Sequence, residues 1–270
     1  MWSTTSDVDE FRATAGPGLL ARPVENTLLL TVSAIAAARG PRAAGGVYGW
    51  HPDGSAFVWT PPRPVLFGGA ATPEAAAQLA ALLDDVPGVN STDEAAKAFA
   101  DAWSRRTGVA HRLGRRSRLY RLGELVPPSV PGQARVAGAA DRDLLVDWLT
   151  AFEEEIEEQS GSATESVNAG LAYGGFSVWE VDGAPVATAG VRQPAGGVVR
   201  VGPVYTPPRQ RGYGYGSAVT AAVSAAARPH EAVLFTDLDN PISNSIYQKI
   251  GYQPVEDRQV YMFRPRDRAS

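Results

Sequence analysis

Two stretches in the second half of the chain carry residues whose types and spacing could do chemistry. In VYTPPRQRGYGYGSAVTAAVSAAA, a strand-like run passes through two prolines and a basic, glycine-rich turn, Arg211 to Ser217, straight into an alanine-rich helix. A helix start of this kind is an anion site in principle. Its first amides have no intrahelical acceptor, the helix dipole adds partial positive charge, and Gly212, Gly214 and Gly216 let an oxygen-rich group approach the backbone. Arg211 can add a charge-assisted hydrogen bond. The second stretch is DNPISNSIYQKIGY, with Asn240, Asn244 and Tyr247. A phenol can serve as a general acid, and Asn244 lies one helical turn before it, close enough to orient it or to bind a substrate arm. Each stretch also has a plain reading. Glycines make tight strand-to-helix connections, and Ile246, Tyr247 and Ile250 could be an apolar stripe.

Several chemistries drop out. The turn lacks the Gly-Lys-Ser/Thr of a P-loop, and Ser217 stands where a dinucleotide-binding turn has its last glycine. With no cysteine, the chain has no disulfide, no thiolate metal site and no cysteine nucleophile. His51, His111 and His230 are scattered without zinc spacing, and no Gly-x-Ser-x-Gly turn is present, so neither a metal site nor a serine hydrolase is expected.

Together the two stretches resemble the GNAT superfamily of N-acyltransferases, whose acyl-CoA motif reads Arg or Gln, two residues, Gly, one residue, then Gly or Ala. Arg211, Gly214 and Gly216 match it, and a second register on Arg209, Gly212 and Gly214 also fits. The first agrees better with a helix starting near Ser217. Asn240, Tyr247 and Gly251 match the family's other motif, in the right order downstream. The resemblance implies that acetyl-CoA is the co-substrate, held by Arg211, Gly212, Tyr213, Gly214, Tyr215, Gly216 and Ser217, with Asn240, Asn244 and Tyr247 on the adjoining helix. It implies further that Val204, Tyr205 and Thr206, on a strand that splays from its neighbour, bind the pantetheine and the acyl carbonyl. Amine attack on a thioester gives an oxyanion and then a thiolate that benefits from a proton. Tyr247 is the candidate acid. Asp237, at the end of the strand before Asn240, is the candidate base, while Asp239 reads as a helix cap.

These residues need a scaffold. LVPPSVPGQ reads as a linker, which gives a first domain over 1–125, a linker over 126–134 and a catalytic domain over 135–270. In the second part, DRDLLVDWLTAFEEEIEE places Leu144, Leu145, Trp148, Leu149 and Phe152 on one helical stripe. FSVWEVDGAPVATAGV and GGVVRVGPVYT make a meander of three strands, and AVLFTDL and RQVYMFR are further strands. The resemblance covers about Arg135 to Arg264 and implies an α+β, three-layer αβα fold around a mixed sheet. In the first part, LLLTVSAIAAA reads as a core helix and VYGWHPDGSAFVWTPP as a hairpin. Helices are expected from Thr72 and Pro73, and from a cap at Ser91 or Thr92 to Gly108. No Arg-x-x-Gly-x-Gly turn occurs there, so the first part reads as a degenerate, structural copy of the same domain.

Charge and composition set the remaining bounds. Hydrophobic residues at 44% and charged residues at 20% are those of a folded globular chain. A net charge of -4 gives no global signal for nucleic acid. Arg105, Arg106, Arg112, Arg115, Arg116, Arg118 and Arg121 cluster without a recognised nucleic-acid motif, so a solvated strand edge is expected rather than a nucleic-acid face. Glu153, Glu154, Glu155, Glu157 and Glu158 read as a solvated helix end, with attraction of an ammonium substrate as the sharper alternative. The opening MWSTTSDVDE lacks the basic and then apolar order of an export signal, so a cytoplasmic protein is expected, without membrane association. The expected partner is an amine-bearing small molecule or peptide, and the expected state a monomer or homodimer. The alternative function is a non-catalytic binding protein that retains the CoA pocket.

Overall fold

A computed structural model describes residues 1–40, 45–156 and 162–263. The first part of the chain forms β1 (Ser3–Thr5), α1 (Val8–Thr14), α2 (Gly16–Leu20), α3 (Thr27–Arg39), β2 (Val47–Trp50), β3 (Ser55–Trp59), β4 (Val65–Gly69), α4 (Pro73–Leu82), β5 (Gly88–Thr92), α5 (Asp93–Thr107) and β6 (His111–Leu122). The second part forms β7 (Gln133–Val136), α6 (Arg142–Glu155), α7 (Ala163–Leu171), β8 (Phe176–Val181), β9 (Ala184–Val191), β10 (Val198–Tyr205), α8 (Tyr215–Ala226), β11 (Glu231–Asp237), α9 (Pro241–Lys249) and β12 (Tyr252–Phe263). No described helix is long and apolar enough to cross a membrane.

The chain divides into two compact units that interleave in sequence. One comprises residues 1–119, 236–240 and 254–270, the other 120–235 and 241–253. In the first unit the strand order is β1-β2-β3-β4-β5-β12-β6. Neighbours from β1 to β4 are antiparallel, β4 and β5 are parallel with α4 as their crossover, and β12 returns antiparallel to β5. Helices α4 and α5 bury Ala76, Leu79, Phe99 and Trp103 against Phe57, Phe67 and Val89 of the sheet. Phe263, near the end of the chain, stacks on Trp103 at 5.2 Å within the same core.

In the second unit the order is β7-β8-β9-β10-β11. Again four strands run antiparallel, and the fifth is parallel to the fourth across a single helix, here α8. Val219 and Val223 of α8 cover Ala187, Ala189 and Val201 on one face of this sheet. Leu145, Leu149 and Val167 of α6 and α7 cover Phe176 and Val178 on the other. The fold is therefore α+β with helices on both faces of a mixed sheet, and the order of four antiparallel strands, crossover helix and parallel strand occurs twice.

Most of the expected elements are present, and the differences have local causes. The hairpin turns at Gly54, with φ of 89°, and at Asp182 and Gly183, with φ of 50° and 79°. α4 carries the expected Thr72 cap, the Thr72 hydroxyl oxygen accepting from the Ala75 amide at 3.2 Å. α5 has Thr92, one of the two residues expected there, at its N-cap position but without a side-chain cap, while Ser91 lies within β5 and its hydroxyl donates to the Phe67 carbonyl at 3.0 Å. The arginine-rich segment forms β6, but not the solvated edge expected. The Arg116 carbonyl accepts from the Leu238 amide at 3.0 Å, and carboxylates meet Arg115, Arg116 and Arg118 at 3.6, 2.7 and 2.6 Å. β1, α1, α2, β4, β5, β7 and α7 have no counterpart in the sequence expectation, and β7 begins at Gln133, inside the segment expected as a linker. Glu157, Glu158 and Arg264 lie outside the described residues.

Candidate active site

The glycine-rich turn is built to leave amides exposed. β10 runs antiparallel to β9 with one extra residue between Val201 and Val204, where three steps along β10 answer two along β9. Its parallel register with β11 extends from Val198↔Glu231 to Val201↔Leu234 and no further, so the two strands part just before Val204, Tyr205 and Thr206. The expected splayed strand is therefore present.

Gly212 and Gly214 both have φ of 86°, a left-handed conformation that other residues adopt only with strain. Gly214 is the N-cap of α8 and makes no side-chain cap, and the first intrahelical bond runs from the Ala218 amide to the Gly214 carbonyl at 3.0 Å. The amides of Tyr215, Gly216 and Ser217 thus precede the helical ladder. A Cβ at Gly216 would meet the Thr206 hydroxyl at 3.0 Å, and one at Gly214 would meet Val130 at 3.0 Å. Those glycines bring the helix start close against the end of β10 and the Val130 side chain. Tyr215 is buried, while Tyr213 is exposed and stacks on it at 5.6 Å.

Arg211 does not stand free beside these amides. Its Nε donates to the Thr206 carbonyl at 2.9 Å, and its Nη2 donates to both Glu155 oxygens at 2.6 and 2.8 Å. The guanidinium also lies over the Tyr205 ring at 5.8 Å. This pairing accounts for one member of the glutamate run. Glu155 sits at the C-terminal end of α6, where a negative charge opposes the helix dipole, and Arg211 compensates it. Burial, followed by the Glu155 charge, raises the Tyr205 phenol above its usual range, against the lowering influence of Arg211.

On α9, Tyr247 is half-buried, packed at 6.2 Å against Tyr252, and burial pushes its phenol up to about 12. It is therefore protonated at neutral pH. The Asn244 carbonyl oxygen accepts from the Tyr120 hydroxyl at 2.9 Å, and that hydroxyl accepts from Gln248 Nε2 at 3.2 Å. Tyr120 is fully buried and was not anticipated. Its only signal in sequence is alternation within an arginine-rich strand, which also fits an ordinary core residue. Val130 and Glu155 were likewise missed as partners of the turn.

Asp237 ends β11. Its Oδ1 accepts from the Asp239 amide at 2.8 Å, its carboxylate is 3.6 Å from Arg115 Nε, and its carbonyl accepts from the Asn240 amide at 3.1 Å. Asp239 does not take the capping position expected of it. α9 begins at Pro241, so Asn240 is the residue preceding the helix, and the Asp239 carboxylate is held by Arg116 at 2.7 Å. Among the described residues no group of histidines and carboxylates is arranged to hold a metal ion.

The sequence model of the acetyltransferase (GNAT) family matches residues 142–252, so the chain carries a GNAT domain over that span. The family is one of acyltransferases, and its match runs from the start of α6 through the turn and α9. Solved structures agree in fold. A Drosophila melanogaster protein is similar over 98% of both chains, with a TM-score of 0.69 at 15% identity. A GCN5-related N-acetyltransferase from Sphaerobacter thermophilus aligns over 98% of this chain and 96% of its own, with a TM-score of 0.57 at 14% identity. Another from Kribbella flavida aligns over 78% and 87%, with a TM-score of 0.55 at 19% identity. Curated proteins give no match. The likeness over the whole chain extends the GNAT-like fold to the first copy, where the family model does not reach.

Proposed function

We propose that the chain is an N-acetyltransferase that moves an acetyl group from acetyl-CoA directly to a primary amine in a ternary complex. The observation that carries this reading is the uncapped start of α8, with left-handed Gly212 and Gly214, beside the point where β10 and β11 part. Three open amides and a helix dipole suit the CoA pyrophosphate. The parted strand offers Val204, Tyr205 and Thr206 to the pantetheine and the acyl carbonyl, with Asn240 and Asn244 as further contacts from the α9 side. Arg211 holds the turn against Thr206 and Glu155, and Tyr213 and Tyr215 flank the glycines. The span expected as catalytic, 135–270 after a linker at 126–134, contains all of these residues, although residues 236–240 and 254–263 belong to the first compact unit; residues 1–125 are taken as a copy without its own active site.

In the reaction the amine nitrogen forms a bond to the thioester carbonyl carbon, and the tetrahedral oxyanion collapses with loss of the C–S bond. The amine's proton passes to Asp237, directly or through water. Tyr247 assists the departing sulfur. A phenol near 12 is a weaker acid than a thiol near roughly 8.5, so Tyr247 acts chiefly by donating a hydrogen bond to the developing thiolate.

Release of free thiol from acetyl-CoA across a panel of primary amines tests the reading. Amine-dependent release with a matching N-acetyl product is expected. Tight acetyl-CoA binding without release from any amine would instead favour the non-catalytic binding protein.

A further inference from the structure

Arg192 and Arg200 oppose each other across the β9–β10 ladder. The register pairs Val191 with Val201, and the Arg192 amide donates to the Arg200 carbonyl at 2.9 Å. Directly opposed residues of an antiparallel pair share a face, with Cβ atoms about 4.5–5.5 Å apart, and like charges there repel. Among the described residues no carboxylate pairs with either guanidinium. Arg200 Nη1 is buried without a hydrogen-bond partner. Burial, and then the Arg192 charge, lower Arg200 to about 10.

Tyr173 completes the cluster. Its hydroxyl donates to the Val191 carbonyl at 3.0 Å, and burial raises its phenol while the nearby Arg192 charge lowers it. Its ring occupies the space that a side chain at Gly175 would need, which accounts for that glycine. Tyr173 is 38% exposed and Arg192 half-buried, so the cluster opens to solvent at its rim. A guanidinium whose Nη1 is buried without a counter-charge is destabilising, and a fold that keeps it directly opposite a second, half-buried arginine leaves a place for an anion that the chain itself does not supply. The planar fork of each arginine suits a carboxylate or a phosphate. The position is also apt. Arg200 immediately precedes Val201, the last residue of β10 paired with β11, and four residues of strand, about 13 Å, separate it from Val204.

We propose that Arg200 and Arg192, with Tyr173 at the rim, bind a carboxylate or phosphate group carried by the amine acceptor. That the ligand is the acceptor rests on the acyl-transfer reading; the oxyanion site does not.

Thermal unfolding of the full chain at constant ionic strength tests it, with succinate, inorganic phosphate and the neutral succinamide as probes. A saturable rise in Tm with one or both anions and none with succinamide is expected, and which anion gives it distinguishes carboxylate from phosphate. The rise should disappear in Arg200→Gln and Arg192→Gln and persist in Gly214→Glu, which removes the turn as an alternative phosphate site. Without ligand, Arg200→Met should unfold at a higher temperature than the parent, because it keeps the apolar stem and removes the uncompensated charge, whereas a structural arginine would give a lower one. An equal rise with succinamide, retention of the rise in Arg200→Gln, or no saturable rise at concentrations on the order of 10 mM would overturn the site. If Arg200→Gln does not fold, Arg192→Gln and the succinamide comparison still decide. Acetyl-CoA calorimetry is read separately, so anion binding without acetyl-CoA binding would leave the site standing and remove the acyl-transfer reading. Where thiol release occurs, amines bearing the preferred anion should exceed their neutral counterparts at least about tenfold in kcat/KM, one bound charge pair's worth of discrimination. The absence of any preference would overturn the assignment to the acceptor.

Discussion

The guanidinium of Arg211 has a carboxylate and a carbonyl as partners, which fix it against the turn. Tyr247 shows the converse. Its position in α9 follows the motif, and burial raises its phenol to about 12, which makes it a weaker acid while leaving its O–H able to donate. Tyr247→Phe should lower kcat by roughly 10²-fold while leaving the acetyl-CoA dissociation constant unchanged. Single-turnover kinetics checks this, and an unaltered rate would assign the proton to another donor. Types and spacings in sequence located Arg211, Asn244 and Tyr247, but not their partners. Glu155 lies 56 positions from Arg211, and Tyr120 lies 124 from Asn244. Such pairs arise only when the sheet is assembled, and one chain in isolation carries no sign of them.

Helix starts separate the two copies. In α8 the cap is a left-handed glycine and the first amides stay open; in α4 the equivalent end is closed. There Pro73 removes one donor, the Thr72 hydroxyl oxygen takes the Ala75 amide, and the Thr72 hydroxyl donates to Asp53 at 2.7 Å. Thr72→Ala should cost about 1 kcal/mol of stability in urea denaturation, a typical loss for an N-cap, without creating acetyl-CoA binding. No loss would mean that Asp53 and Pro73 already suffice to fix the helix start. Caps and turns of this kind were legible because their chemistry is local. Thr72, Gly108, and the Asp182–Gly183 pair all do what their residue types suggest. Strands β4 and β5 were not legible. VLFGG and GVNST are short and rich in residues that also suit turns, and pairing with distant strands decides their state.

At the scale of the molecule, one plan of strands and helices is used twice, and β12 from the end of the chain lies beside β5 of the first unit. The first copy has no motif from which the repetition could be read, and Pro73 and the Thr72 cap stand at its helix start where the second copy has left-handed glycines. What survives is the strand order, a property of pairing rather than of sequence pattern. Of the two crossover helices only α8 starts open on left-handed glycines, which predicts a single nucleotide site. Calorimetric titration of the full chain with acetyl-CoA should give one equivalent bound, and none in Gly214→Glu, whose retained fold is checked by circular dichroism. Two equivalents, or one equivalent retained by a folded Gly214→Glu, would contradict the assignment of the Arg211 to Ser217 turn.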